Sequence, residues 1–356
     1  MPTEEEIQIT YLITSLETGG AQTGLVRLLN VLPPDKYNVN VVSFIEGDKS
    51  LIEKLPSHVE TNVIEITTKY QVYKLIPTLF DVNKSDLLVC SLYHATIVGR
   101  ISGILGDTPV INWQHNERFN NTVRKAIYQL TNPLASDIIA DSTAVKEMLL
   151  SEFSLSPSDV HVVPIAGVDM ETYRPKGSGS ENEKVTVGTL GTLTKQKNHE
   201  VVLEMAEIFE GSVVEFVVAG DGPRREELEL KVSKRNIDNI RFEGYVQEPW
   251  RFLQSLDVYF QPSLYEGLCI TVIEAMACGL PVVGSDVGGI SQTVEHRRTG
   301  FIANPEDIDS FTDHLRKLIS DPELRTEMGE ASRDRVKERY SANSLEKEFC
   351  AIVDQY

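Results

Sequence analysis

The sequence is short of positive charge, of cysteine and of long apolar runs. Its 356 residues carry 34 Lys and Arg against 53 Asp and Glu, a formal net charge of −19. A general nucleic-acid binder needs a broad basic face to displace counterions, so that class is excluded and only a small local basic patch is left open. The four cysteines, Cys90, Cys269, Cys278 and Cys350, are nowhere spaced as CxxC. That spacing argues against a disulfide framework or a zinc ribbon, and a reducing cytosol is the expected setting. The seven histidines are scattered without an HxH or HExxH pair, so no metal site is expected. No stretch approaches the roughly 20 apolar residues that cross a bilayer. The best candidate, Ile270–Val283, is broken by Glu274 and Pro281. The opening MPTEEEIQIT is acidic and lacks a basic n-region and an apolar h-region, so no secretory signal is expected there. Repeats with a period of about 20–50 residues are also missing.

What is present is an ordinary globular composition, 41% hydrophobic and 24% charged. At roughly 100–200 residues per domain, two domains are expected. Short β-rich runs alternate with longer helical stretches. The spacing predicts strands at 7–14, 39–44, 63–66, 87–92, 110–113, 138–140 and 161–163. A second set is predicted at 184–188, 213–219, 240–242, 258–261, 282–285 and 300–302. Several are apolar throughout, as in parallel strands buried on both faces. Helices are predicted at 23–32, 143–153, 224–235 and 308–319, and one or two more over 330–356. Alternating strands and helices imply a doubly wound α/β architecture. The polar run Arg174–Lys184, with Gly, Ser and Pro, cannot pack a core and reads as a linker between two similar halves.

The most informative segment is Pro262–Gly289, PSLYEGLCITVIEAMACGLPVVGSDVGG. A strand ends at Pro262, a loop carries Glu266 and Gly267, and a helix opens near Ile270 and stops at Gly279 and Pro281. Such a loop offers backbone N–H groups and a helix N-terminus, a site suited to phosphate or pyrophosphate. Glu266 on the loop and Glu274 about a turn into the helix can accept hydrogen bonds from sugar or ribose hydroxyls.

Glu266-x7-Glu274, with Ala-Met-Ala-Cys-Gly-Leu-Pro-Val-Val and Asp-Val-Gly-Gly behind it, resembles the EX7E signature of family 4 retaining glycosyltransferases. Supporting blocks follow in order: Gly19-Gly20-Ala21-Gln22, Val163–Pro175, Gly188–Asn198, Val218–Arg224 and Phe242–Val246. The resemblance covers nearly the whole chain. It implies an α/β GT-B fold of two facing Rossmann-like doubly wound parallel-sheet domains with an interdomain cleft. An acceptor-side domain would span 1–174, a linker 175–183 and a nucleotide-sugar-binding domain 184–338. A last helix would span 339–356, with a crossover back to the first domain left open. By the same resemblance Glu274 binds the ribose and Glu266 the ring hydroxyls of the donor sugar. Gly267, Leu268, Cys269, Ile270 and Thr271 offer backbone N–H groups, and Lys197 neutralises the leaving diphosphate. Val246 flanks the base, Gly20 lets a first-domain loop approach the phosphates, and His115 lies near the donor sugar. Lys197, Glu266 and His115 are the catalytic candidates. The implied activity is transfer of a hexose-type sugar, without a bound metal, from a UDP- or GDP-linked donor to a glycan, lipid-linked or other surface-polysaccharide acceptor.

Two departures from the pattern stand out. Thr192 occupies the place of the usual arginine in Gly191-Thr192-Leu193, which removes a bidentate contact to the pyrophosphate. The loop reads Glu-Gly-Leu-Cys where Glu-Gly-Phe-Gly is common. Alternative readings are a nucleotide-sugar epimerase on the same fold and, because of Thr192, a non-catalytic nucleotide-sugar-binding protein. Asp307-Ile-Asp309 opens a late helix, where acids favour the N-terminus, and is not read as a metal motif. Finally, 118–130 carries Arg118, Arg124 and Lys125 without an acid, and Phe119, Val123, Ile127 and Leu130 recur at helical spacing. In so acidic a chain this is a candidate contact with an anionic membrane surface or with a lipid-phosphate acceptor, and the first would place a cytoplasmic protein at the inner face of the membrane.

Overall fold

The computed structural model describes residues 6–17, 19–47, 49–66, 74, 85–115, 121–176 and 184–356. The chain divides into two compact units, 1–167 with 342–356, and 168–341. Each is built on its own parallel sheet.

The first unit opens with β1 (Ile7–Ser15), α1 (Gly20–Val31), β2 (Tyr37–Ile45), α2 (Lys49–Ile52) and β3 (Glu60–Val63). It continues with β4 (Leu87–Ser91), α3 (Tyr93–Gly106), β5 (Val110–Gln114), α4 (Thr122–Thr131), β6 (Asp137–Ala140), α5 (Thr143–Glu152) and β7 (Val160–Val162). Its seven strands lie in the order β3-β2-β1-β4-β5-β6-β7. Every neighbouring pair is parallel. Near-continuous apolar strands such as Leu87-Leu-Val-Cys-Ser91, buried at each position, explain why both faces need helices. The third strand forms at 60–63 rather than at 63–66. Glu65 takes a left-handed backbone (φ 54°), which ends regular pairing. Ile64 and Ile66 still donate to Ser43 O and Phe44 O and pack on the core around Leu12 and Val42.

The last helix, α13 (Ala342–Val353), belongs to this first unit. Its Phe349 stacks on Trp113 at 5.6 Å between ring centroids, and Asp354 pairs with Lys36 at 2.6 Å.

The second unit runs β8 (Val185–Leu190), α6 (His199–Ile208), β9 (Val214–Ala219), α7 (Arg225–Arg235), β10 (Ile240–Gly244), α8 (Pro249–Gln254) and β11 (Val258–Gln261). After these come α9 (Ile270–Ala277), β12 (Val282–Ser285), α10 (Gly288–Thr293), β13 (Gly300–Ala303), α11 (Ile308–Ser320) and α12 (Pro322–Arg339). The order is β10-β9-β8-β11-β12-β13, again all parallel. One core joins the sheet to α6 and α11 through Phe216, Phe260, Met205, Phe311 and Leu315.

Residues 168–174 lie in this second unit, so the division falls ahead of the polar run, of which 177–183 lie outside the described residues. Arg333 on α12 explains why. Its guanidinium donates to the carbonyls of Met170, Tyr173 and Ala277, clipping that segment to the end of α9. Both sheets reverse winding direction where strands diverge to opposite sides, between β1 and β4 and between β8 and β11. In open α/β sheets ligands bind beyond the strand ends at that point.

Phe349 is 1% exposed. Phe349→Ala should destabilise the first unit by about 3–5 kcal/mol. Urea unfolding followed by Trp113 fluorescence, in a Trp250→Phe background, measures it.

Candidate active site

Two loops flank the winding reversal of the second sheet, one after β8 and one after β11. Lys197 stands on the first and Glu266 on the second. Their ammonium and carboxylate meet at 2.7 Å, with the Lys197 side chain 16% and the Glu266 side chain 7% exposed. Gln196 ties the loops together. Its side-chain N–H donates to Tyr265 O at 3.0 Å and its carbonyl accepts from Leu264 N at 2.8 Å.

Glu266 is held from below by a buried polar line. Tyr259, Gln261 and Ser263 alternate along an extended run, so their side chains share one face. Ser263 Oγ donates to Glu266 Oε1 (2.8 Å), Gln261 Nε2 donates to Ser263 Oγ (2.8 Å), and Tyr259 OH lies 2.9 Å from Gln261 Oε1. Tyr259 OH also accepts from Leu190 N at 3.3 Å, where β8 ends.

Electrostatics keep Lys197 charged. Burial alone would lower its ammonium, but the Glu266 carboxylate, by its charge and its hydrogen bond, outweighs it and the group stands above its ordinary value. Behind it, His199 is buried. That burial, with Lys197 and Arg224 nearby, pushes its imidazole down to about 4, so it is neutral at pH 7.

Cys269 precedes α9 in a left-handed conformation (φ 52°), costing roughly 1–2 kcal/mol for a side chain bearing a Cβ. It turns the chain so that the first N–H groups of α9, which have no acceptor within the helix, open the loop end. Gly289 secures the loop from the other side. Its N–H donates to Gly267 O at 2.8 Å, and a Cβ there would stand 2.2 Å from that oxygen. Gly220 makes room for the β8 loop, since a Cβ there would reach Gly191 O at 1.9 Å.

Glu274, the fifth residue of α9, is buried and accepts from Tyr173 OH at 2.9 Å. The structure thus gathers Lys197, Glu266, Gly267, Leu268, Cys269, Ile270, Thr271 and Glu274 at the neighbouring ends of β8 and β11 and on the helix that follows β11. Thr192 is exposed on the β8 loop, as is Lys195, and half-buried Val246 follows β10. Gly20 and His115 lie in the first unit, Gly20 as the first residue of α1 rather than in a loop, and His115 just past β5 with its ring bonded to Ser91 and Asp141. Asp307 caps α11 by accepting from Ser310 N.

Sequence reasoning missed Ser263, Gln261, Tyr259, Gln196 and Tyr173. Ser263 and Tyr173 sit inside blocks that drew attention for other residues. A polar residue at every second position of an otherwise apolar strand was the available signal for Tyr259 and Gln261.

Burial, followed by Glu266 for Cys269 and by Glu274 for Cys278, pushes both thiols up to about 12; burial does the same for Cys90. The thiolate is the reactive form. In the native chain at pH 8, an aromatic disulfide reagent should therefore react first at half-buried Cys350 and slowly at the other three. All four should react at once in urea. Since unfolded thiols ionise near 9 and these do not, stability should fall as pH rises above about 9.

Residues 170–335 match the family of glycosyl transferases group 1. The chain is 25% identical over 360 residues to the Escherichia coli UDP-Gal:alpha-D-GlcNAc-diphosphoundecaprenol alpha-1,3-galactosyltransferase, covering 90% of each chain. It is 28% identical over 278 residues to the N-acetyl-alpha-D-glucosaminyl L-malate synthase of Bacillus anthracis, covering 74% of this chain and 71% of that one. Among solved structures, Anabaena HepE in complex with UDP and glucose matches with a TM-score of 0.86 at 19% identity, over 99% of this chain and 100% of that one. The matched region coincides with the second unit, which carries the ion pair at the head of α9, and the chain is a glycosyltransferase of the GT-B fold whose residues 170–335 are similar to the group 1 glycosyl transferases.

Proposed function

We propose that the chain is a retaining, metal-independent hexosyltransferase that takes a UDP- or GDP-linked sugar as donor substrate and holds no resident cofactor. The observation that carries this reading is the buried Lys197–Glu266 pair beside the first turn of α9. When a glycosyl–phosphate bond breaks, negative charge collects on the leaving diphosphate. An ammonium held at a helix N-terminus stabilises that charge without reorganising during the reaction. In this reading Lys197 and the N–H groups of 268–271 take the diphosphate. Glu274, already accepting from Tyr173, takes the ribose, and Glu266 takes the ring hydroxyls. Thr192 leaves the diphosphate without the usual arginine, and Val246 flanks the base. The roles of Gly20 and His115 rest on the sequence resemblance. The UDP and glucose bound by HepE favour UDP over GDP, and the diphosphoundecaprenol-linked acceptor of the Escherichia coli relative favours a lipid-diphosphate acceptor.

A panel of UDP- and GDP-sugars with EDTA present, read by thermal shift and by mass detection of released nucleoside diphosphate, tests the assignment. One donor should stabilise the wild type and be slowly hydrolysed. Glu274→Ala should abolish the stabilisation. Lys197→Ala should lower turnover about 100-fold or more, the loss of one oxyanion-type contact. A donor that binds but is never turned over with lipid-phosphate or glycan acceptors would favour the non-catalytic reading. Isomerised free nucleotide sugar would favour the epimerase.

A lipid acceptor calls for contact with a membrane, and we place that contact at α4. Arg118 and Phe119 lie outside the described residues. Of the ten residues of α4 only Tyr128 is buried, while Val123, Ile127 and Leu130 are 67%, 40% and 80% exposed. Arg124 and Lys125 border this stripe, Lys125 pairing with Glu152 at 3.0 Å. Among the described residues no helix is long and apolar enough to cross a membrane, so the contact would be peripheral, at the cytoplasmic face. The chain should cosediment with phosphatidylglycerol vesicles and not with phosphatidylcholine vesicles, and Ile127→Ser with Leu130→Ser should abolish cosedimentation while leaving donor binding intact.

A further inference from the structure

The carboxyl end of the first sheet holds a buried polar array. β4, β5 and β6 are neighbours in register, with Ser91 opposite Trp113 and Gln114 opposite Ala140. That register sets Ser91, His115 and Asp141 side by side. Asp141 Oδ2 lies 2.7 Å from His115 Nδ1, and its Oδ1 accepts from Trp113 Nε1 at 2.6 Å. His115 Nε2 is hydrogen-bonded to Ser91 Oγ. The side chains of His115 and Asp141 are 7% and 4% exposed, and Ser91 is fully buried.

Donor and acceptor arithmetic fixes one proton of the array. An indole N–H only donates, so Asp141 Oδ1 must accept. An ionised carboxylate only accepts, so His115 Nδ1 must carry a proton toward Oδ2. Nε2 meets the Ser91 hydroxyl, which can donate to a bare nitrogen or accept from a protonated one. Trp113 lies stacked between the His115 ring (6.1 Å between centroids) and Phe349 of α13 (5.6 Å), which blocks rotation of the imidazole out of plane.

We infer that Asp141 and Ser91 are positioning residues for His115, the carboxylate fixing its proton on Nδ1 and the hydroxyl holding Nε2, so that the ring keeps one tautomer and one orientation. The inference rests on the reading of His115 as a site residue. It adds two residues that no motif in the sequence singled out. Both ring nitrogens are hydrogen-bonded inside the unit, so the His115 ring is held in place at the end of β5 rather than free to swing.

The test uses the full-length chain with 15N-labelled histidine. In the wild type His115 should show the Nδ1–H tautomer. Asp141→Asn has one amide oxygen for two donors, so the imidazole proton should move to Nε2. Turnover of UDP-glucose or UDP-galactose, whichever the wild type hydrolyses, should then fall about tenfold to hundredfold, the scale of a misplaced catalytic tautomer at the mild end. Donor KM should stay within about twofold, because an effect on kcat alone reports the reacting geometry and not ground-state binding. Ser91→Ala should keep the tautomer and lower kcat about threefold or more, the cost of one lost buried hydrogen bond. A wild-type His115 protonated on Nε2 and bare on Nδ1 overturns the inference, and that measurement needs no variant to fold. Full kcat in Asp141→Asn beside a slow His115→Ala also overturns it, and leaves the role of His115 standing. Full turnover in His115→Ala overturns that role and the inference with it.

Discussion

A buried positive charge is expensive, and the organisation of the second unit follows from how the charge on Lys197 is answered. Taking an ammonium out of water costs several kcal/mol unless a partner and hydrogen bonds replace the lost hydration. Glu266 supplies the partner. Glu266 would itself be a costly buried anion, so Ser263, Gln261 and Tyr259 hand its hydrogen bonding back to the backbone at the end of β8. The two loops at the winding reversal are therefore one hydrogen-bonded piece, and neither can move without leaving a charge unpaired. Glycine at 289 and at 220 is part of the same constraint, because each lets a neighbouring backbone pass where a Cβ would collide.

The first unit meets a related problem with different residues. β4 is apolar from Leu87 to Cys90 and turns polar only at its end, Ser91, beside which His115 and Asp141 stand just past β5 and β6. Those groups satisfy one another, with Trp113 as the fourth member and α13 closing over its far face. The buried guanidinium of Arg100 is treated in the same way, donating to Tyr128 O and Thr131 Oγ and lying over the Tyr128 ring. α4 differs. It is anchored at its C-terminal end and leaves its apolar stripe uncovered.

Much of the architecture was legible as periodicity. Apolar runs bounded by Gly, Pro and polar turns mark thirteen strands, and the described structure has strands at or beside each. The exception in register, β3, turns on Glu65 adopting a positive φ, which no propensity signals for a glutamate. The site was legible in part. The Glu266 loop, the start of α9 at Ile270 and its stop at Gly279 follow from local chemistry, and Gly279 does take a positive φ of 75°. Gly20 was legible as a glycine and not as the first residue of a helix. The attachment of 168–174 to the second unit was not legible at all, since it depends on Arg333, some 160 residues away.

The sequence by itself determined the class of fold, the absence of a membrane-crossing apolar run and the loop that presents α9, because each depends on residues close together in the chain. Only the tertiary structure decided which charges meet. Lys197 reaches Glu266 because β8 and β11 are neighbours in the sheet, and His115 reaches Ser91 and Asp141 because β4, β5 and β6 are. Strand order sets those encounters, and it is fixed by how the sheets bury their two faces, a condition on the whole chain that no local pattern records.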